Sequence, residues 1–232
     1  MTGSGPPTRA LRGQARAARF RTTACRSFRG ATRRKNARMD GLSSLHDDAV
    51  ASARAVVLVE GTSDRVAVEA LARRLGRDLA AEGVVVVAIG GAQAIRNALD
   101  LFGPRGVGAR VAGLCDAAEE RHFARALERL GHGAGLTRGS MEALGFFVCD
   151  PDLEGELVRA VGPDAVEGIL AEQGELGSFR TYQKQPAHRD RPRDDQLWGF
   201  MFNRKIRYAA LLVEALDLDR VPRPLEGVLA FV

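Results

Sequence analysis

Apolar and polar positions alternate along this chain in blocks, and the blocks come in two lengths. Short, nearly continuous apolar runs occupy residues 55–59, 84–89, 110–115 and 145–149. Their length, their Val and Ala content and the Gly and Asp at their ends predict strands buried on both faces. Longer stretches between them carry apolar residues at helical spacing. Residues 64–76 place Val66, Val68, Ala70, Leu71 and Leu75 largely on one face and end at Gly76. Residues 92–102 set Ile95, Leu99 and Phe102 on one stripe, and 119–130 predict a third helix. Two short helices are expected at 152–161 and 163–173. A longer one is expected at 198–216, where Phe202, Ile206, Ala209, Ala210, Val213 and Leu216 recur. A lead-in helix is expected at 39–54. Residues 131–140 and 174–195 read as loops, the second mobile, with Pro186, Pro192 and charges of both signs. Strands alternating with helices imply an α/β fold: a parallel sheet of about four strands flanked by helices on both faces.

Two of the apolar runs stop on a carboxylate. Val-Val-Leu-Val ends at Glu60, in Glu60-Gly-Thr-Ser-Asp64, and Val-Ala-Gly-Leu-Cys ends at Asp116. In parallel sheets, ligands bind beyond the carboxyl ends of the strands. Neighbouring strands lie about 4.8 Å apart, so Glu60 and Asp116 can share one hard cation such as Mg²⁺ or Mn²⁺. Asp64 alone could be a helix N-terminal acid favoured by the dipole. Glu60 has no such explanation, because an unpaired carboxylate after an apolar strand is costly. A second acidic set, Asp152, Glu154 and Glu156, follows the fourth run. It reads either as a cap and first helical turn or as ligands to a second ion, an arrangement that suits phosphodiester cleavage. Lys205, one of three lysines, opens the last helix within Asn-Arg-Lys-Ile-Arg-Tyr. It could stabilise charge developing on phosphate, although a solvated basic face explains it equally simply.

Charge divides the chain. The whole has a net charge of +5, yet residues 1–38 hold eleven Lys/Arg and no acid, leaving the rest at −6. That arm (1–40) is expected to be disordered. It reads as a nucleic-acid arm, as an Arg-rich transit-like segment, or as upstream sequence ahead of a true start at Met39; the last is the simplest. The Ala-, Gly- and Arg-rich composition fits a bacterial gene. Cys25, Cys115 and Cys149 lack metal or disulfide spacing. With no secretory or membrane-length apolar run, a cytoplasmic setting is expected. No Gly-rich phosphate loop of the GxxxxGK[ST] form occurs, nor GxSxG or HExxH.

The segment Leu58-Val59-Glu60-Gly61-Thr62-Ser63-Asp64, followed by Gly113-Leu114-Cys115-Asp116, resembles a Toprim domain, the Rossmann-like fold of topoisomerases, primases and OLD (overcoming lysogenization defect) nucleases. Asp152-Leu153-Glu154-x-Glu156-Leu157 and Arg204-Lys205-x-Arg207-Tyr208-Ala209 are similar to later segments of the OLD Toprim half. The resemblance covers residues 53–216, with 217–232 left as a C-terminal tail. It implies Mg²⁺- or Mn²⁺-dependent cleavage of DNA. Glu60 would be metal ligand and acid/base, and Asp64 and Asp116 metal ligands. Asp152, Glu154 and Glu156 would serve a second ion, and Lys205 would be the transition-state lysine. Two departures stand out. The Asp-x-Asp of Toprim domains reads Asp116-Ala117-Ala118 here, with Glu119 the nearest substitute. The ATPase that OLD proteins join to Toprim has no phosphate loop in this sequence, which leaves room for a separate ATPase subunit. DNA contact is expected from Arg180, Lys184, Arg204 and Arg207, with Arg73, Arg74 and Arg77 as further candidates, and a homodimer is compatible. The alternative is a catalytically weakened Toprim module that binds nucleic acid or a partner without cutting.

Overall fold

A computed structural model of the chain describes residues 52–232, together with Met1 and Val50. The basic arm and nearly all of the expected 39–54 helix lie outside the described residues; residues 52–54 are not helical. The four apolar runs form strands β1 (Ala55–Val59), β2 (Val84–Ala88), β3 (Arg110–Asp116) and β4 (Phe146–Cys149). They pair in the order β2-β1-β3-β4, and every pairing is parallel. The chain leaves β1 toward β2, then crosses back to β3 on the other side. The order therefore reverses between β1 and β3, and the crevice beyond their carboxyl ends is where such sheets bind ligands.

All five β1 residues are buried, but toward two different cores. Side chains alternate across a strand. Ala55, Val57 and Val59 face one core, built on helices α1 (Thr62–Arg74), α5 (Leu153–Val161), α6 (Pro163–Glu172), α8 (Arg193–Met201) and α9 (Lys205–Glu214). Val56 and Leu58 face the other, with α2 (Ile95–Phe102), α3 (Glu120–Arg129) and Met141 of α4 (Arg138–Ala143).

Several expectations are corrected. The 131–140 loop gives way at its end to α4, whose N-cap Thr137 accepts from the Ser140 amide. The helix expected at 92–102 opens with a 3₁₀ turn, Ala92–Ala94. The 174–195 segment is not a loop throughout. It contains α7 (Leu176–Gln183), whose Phe179 is fully buried, and the start of α8. Its charges pair inward, since Arg180 and Arg193 both bind the buried carboxylate of Glu167. The long helix expected at 198–216 is broken by a 3₁₀ turn, Phe202–Arg204, separating α8 from α9.

Residues 217–232 do not form a tail. They include α10 (Arg223–Phe231), whose Leu225, Val228 and Leu229 are buried in the first core, at the i, i+3, i+4 spacing of one helix face. Gly145 leads into β4 with φ of 87°, and a Cβ there would lie 2.5 Å from the Phe231 ring. Gly145→Ala is therefore expected to destabilise the domain by about 2–3 kcal/mol, combining overpacking with an unfavourable φ. A thermal melt should fall by roughly 5–10 °C. An unchanged melt would show that α10 does not hold this position.

Candidate metal centre

Glu60 is the first residue after β1. Its carbonyl accepts from the Gly90 and Gly91 amides beyond β2 (3.1 and 3.0 Å), and its carboxylate accepts from the Asp116 amide at 3.0 Å. The β1 and β3 ends are thus joined through the glutamate itself. Asp64 sits in the first turn of α1 and accepts from the Gly61 amide at 2.8 Å, with the Ser63 hydroxyl at 3.4 Å. Asp116 closes β3.

These three carboxylates share one electrostatic condition. Burial raises Glu60 above the ordinary range, the negative Asp64 and Glu119 raise it further, and the Asp116 amide and Lys205 oppose the shift. Asp64 is pushed up to about 6, first by burial and then by Glu154, against the Gly61 amide and Lys205. Asp116 is pushed up to about 8 by burial and by repulsion from Glu60, Asp64 and Asp152, with Lys205 opposing. Three half-buried acids repelling one another lack enough positive charge around them.

The second acidic set is organised by Lys205, the first residue of α9. Its ammonium donates to Asp152 Oδ2 at 3.0 Å and to Glu154 Oε2 at 2.8 Å. Burial alone would lower this lysine, but the two carboxylates together more than offset it and hold it above its usual range. Asp152 caps α5 by accepting from the Gly155 amide at 2.8 Å, and it also accepts from Trp198 Nε1 (2.9 and 3.0 Å to its two oxygens). Glu154 is only 4% exposed, and its Oε1 is buried without a hydrogen-bond partner.

The structure does not gather every predicted residue. Glu156 accepts from the Asp150 amide and pairs with Arg159 at 3.0 Å, so it is engaged at the start of its own helix. Glu119 lies beside His122 Nε2 at 3.4 Å, and its charge is felt by Glu60. Of the cations expected to meet DNA, Arg180 pairs with Glu167, while Arg204 and Arg207 both pair with Glu175. Lys184 is exposed at the end of α7. Arg74 donates to the Val213 and Leu216 carbonyls, and Arg77 pairs with Glu82, so both serve packing. Trp198, which the sequence pattern does not single out, donates to Asp152 of the acidic set. Its signal lies in the residue type instead: the only tryptophan of the chain carries an N–H that needs a partner when partly buried.

The donor chemistry fits a divalent cation. All candidate ligands are carboxylate oxygens, as Mg²⁺ and Mn²⁺ prefer, they repel one another, and one buried oxygen has no donor. Among the described residues, no three acidic, histidine or cysteine side chains are grouped closely enough to hold a metal ion as they stand. Lys205 supplies the positive charge, paired to one acidic set and acting on the other.

Residues 53–117, from β1 through the end of β3, match the family described as overcoming lysogenization defect protein-like, TOPRIM domain. The fold is also that of the C-terminal region of OLD proteins. The structure from Xanthomonas campestris pv. campestris phased with mercury is 26% identical over 77% of this chain and 94% of that one, with a TM-score of 0.61. Its platinum-phased counterpart is 24% identical over 78% and 92%, with a TM-score of 0.63. The Burkholderia pseudomallei region is 21% identical over 77% and 96%, with a TM-score of 0.61. Over these residues the chain is similar to the Toprim domain of OLD proteins. No curated protein matches it. The Toprim elements of the chain are those that carry Glu60, Asp64 and Asp116. Among the described residues no helix is long and apolar enough to cross a membrane.

Proposed function

We propose that this protein cleaves DNA phosphodiester bonds with Mg²⁺ or Mn²⁺. The observation that supports this reading is that Glu60, Asp64 and Asp116, carried by the elements at the β1–β3 switch point, are all held above their ordinary range by burial and neighbouring carboxylates, with Lys205 acting on all three. Glu60, Asp64 and Asp116 would hold one ion. The unpartnered Oε1 of Glu154, with Asp152, could serve a second. The bound ion would supply Lewis acidity to the phosphate and a more acidic water.

The protein's own residues have distinct parts. Glu60, at the end of β1 beside the Asp116 amide, is placed to ligate the ion or to accept a proton from an attacking water. Lys205 can turn one donor to a non-bridging phosphate oxygen while Asp152 and Glu154 fix its place. Trp198 holds Asp152 and is thereby a positioning residue. Arg180, Lys184, Arg204 and Arg207 are proposed to meet the DNA backbone. The three arginines must then share their carboxylate partners with phosphate. Association with a separate ATPase, and homodimer formation, belong to the same proposal.

The test is nicking of supercoiled plasmid by the purified chain in Mg²⁺ and in Mn²⁺, beside Glu60→Gln. Nicking that needs the ion and falls at least about 100-fold in the variant is expected. A specific observation favours a second reading, the non-cutting module: Ala118 stands where a second acid would follow Asp116, and Glu119 is turned beside His122. Under that reading the folded chain nicks nothing in either metal, and Ala118→Asp strengthens ion binding.

A further inference from the structure

Beside the acidic site the protein presents an apolar surface that its own core does not need. Within residues 52–232, Phe202 and Ile206 are the two most exposed large apolar side chains, at 52% and 59%. They are four residues apart, at the junction of the 3₁₀ turn and α9, and they flank Lys205 in sequence. The Phe202 ring is placed, not loose. Its centroid is 5.1 Å from Lys205 Nζ, and it meets Trp198 edge-on at 5.9 Å. One face of the ring is therefore taken by the lysine that acts on Glu60, Asp64 and Asp116, which leaves the opposite face for a base, and about half of the residue remains open to solvent.

The surroundings specify an occupant. Arg204 and Arg207 are the sequence neighbours of Phe202 and Ile206, each with a side chain more than two-fifths exposed beyond its contact with Glu175. Starting at the next two residues, Asn203 and Arg204, is a cavity of about 390 Å³ lined also by Ser178, Thr181, Tyr182 and Gln185. Hydroxyls, amides and a guanidinium there suit a sugar–phosphate chain. An aromatic face interleaved with cations is the arrangement by which proteins stack bases while tracking a strand. A protein partner would instead be expected to find a broader apolar area.

We propose that Phe202, backed by Ile206, stacks on an unpaired nucleobase next to the scissile phosphate, so that the preferred substrate is single-stranded or locally opened DNA. Duplex DNA keeps its bases stacked inside the helix and cannot offer a free face to this ring. The inference rests on the phosphodiesterase reading of the acidic site, but its test does not require turnover.

The experiment is fluorescence anisotropy of labelled oligo-dT and of a labelled hairpin duplex with the full chain in Ca²⁺. The variants are Phe202→Ala, Phe202→Trp and Ile206→Ser, each checked by thermal melting. Wild type should bind the single strand more tightly than the duplex. Phe202→Ala should weaken single-strand binding about tenfold or more, in line with the loss of one stacked base. Phe202→Trp should restore it, and Ile206→Ser, which leaves the Lys205 contact in place, should weaken it several-fold. Equal binding by wild type, Phe202→Ala and Ile206→Ser would overturn the proposal, as would tighter binding of the duplex. Binding that follows these expectations in a chain that nicks nothing would sink the nuclease reading alone.

Discussion

Asp116→Asn should yield an ion-free protein that is more heat-stable than wild type at pH 8 and yet inert toward DNA. Asp116 is raised to about 8 in the folded protein, by burial and by Glu60, Asp64 and Asp152, against about 3.9 in an unfolded chain. Between those two values the folded state holds a proton that the unfolded state has lost. Its contribution to stability is full below about pH 4 and is lost as pH rises through about 8. Asn cannot ionise, so the advantage of the variant should grow across that window and level off above it. A gain of roughly 3–6 °C at pH 8 is expected for a domain of this size. Mg²⁺ should reverse the order, because an ion that binds only the folded wild type raises its melting temperature by mass action. A variant that melts below wild type at every pH without metal would show that Asp116 is satisfied by protein contacts alone.

Lys205→Ala should have the opposite signature, losing both stability and cleavage. The lysine is the hydrogen-bonded counter-charge of Asp152 and Glu154, both nearly inaccessible, and Glu154 Oε1 already has no partner. Removing one member of such a pair leaves an uncompensated buried charge, a loss of about 3 kcal/mol. Urea unfolding should show this as a lower midpoint with an unchanged slope. Adding Glu154→Gln should recover part of the stability, since a neutral amide needs no counter-ion, and should recover none of the nicking. Full recovery of both would mean that Lys205 serves only the fold.

The sheet could be read from the chain because parallel strands buried on both faces are written as unbroken apolar runs. The acids that follow β1 and β3 could be read for the same reason, since Glu60 and Asp116 interrupt such runs abruptly. Besides the short α4, two elements were hidden. Helix α7 lies in a stretch with prolines nearby and charges of both signs. Only the folded chain shows that Arg180 and Arg193 face inward to Glu167, so that polarity there does not mean a loop. Helix α10 follows a short proline-flanked turn, and its Leu225, Val228 and Leu229 face was too brief to distinguish from a tail. The same limit applies within the site. The spacing of Asp152, Glu154 and Glu156 leaves a helix cap with first-turn acids and a ligand set both open, and side-chain direction along the helix start separates the three. Glu154 turns to Lys205 and Glu156 to Arg159. That division depends on where α9 docks, which spacing alone does not encode.

The central claim is that a divalent cation belongs among Glu60, Asp64 and Asp116. It is tested most directly by titrating the metal-free chain with Mn²⁺ at pH 7, following free Mn²⁺ by electron paramagnetic resonance and released protons in a weakly buffered sample. Saturable binding accompanied by proton release, both lost in Asp116→Asn, is the predicted result, because an entering cation must displace the proton that burial and repulsion hold on the acids. Absence of saturable binding at millimolar Mn²⁺, or binding that Asp116→Asn leaves unchanged, would contradict it.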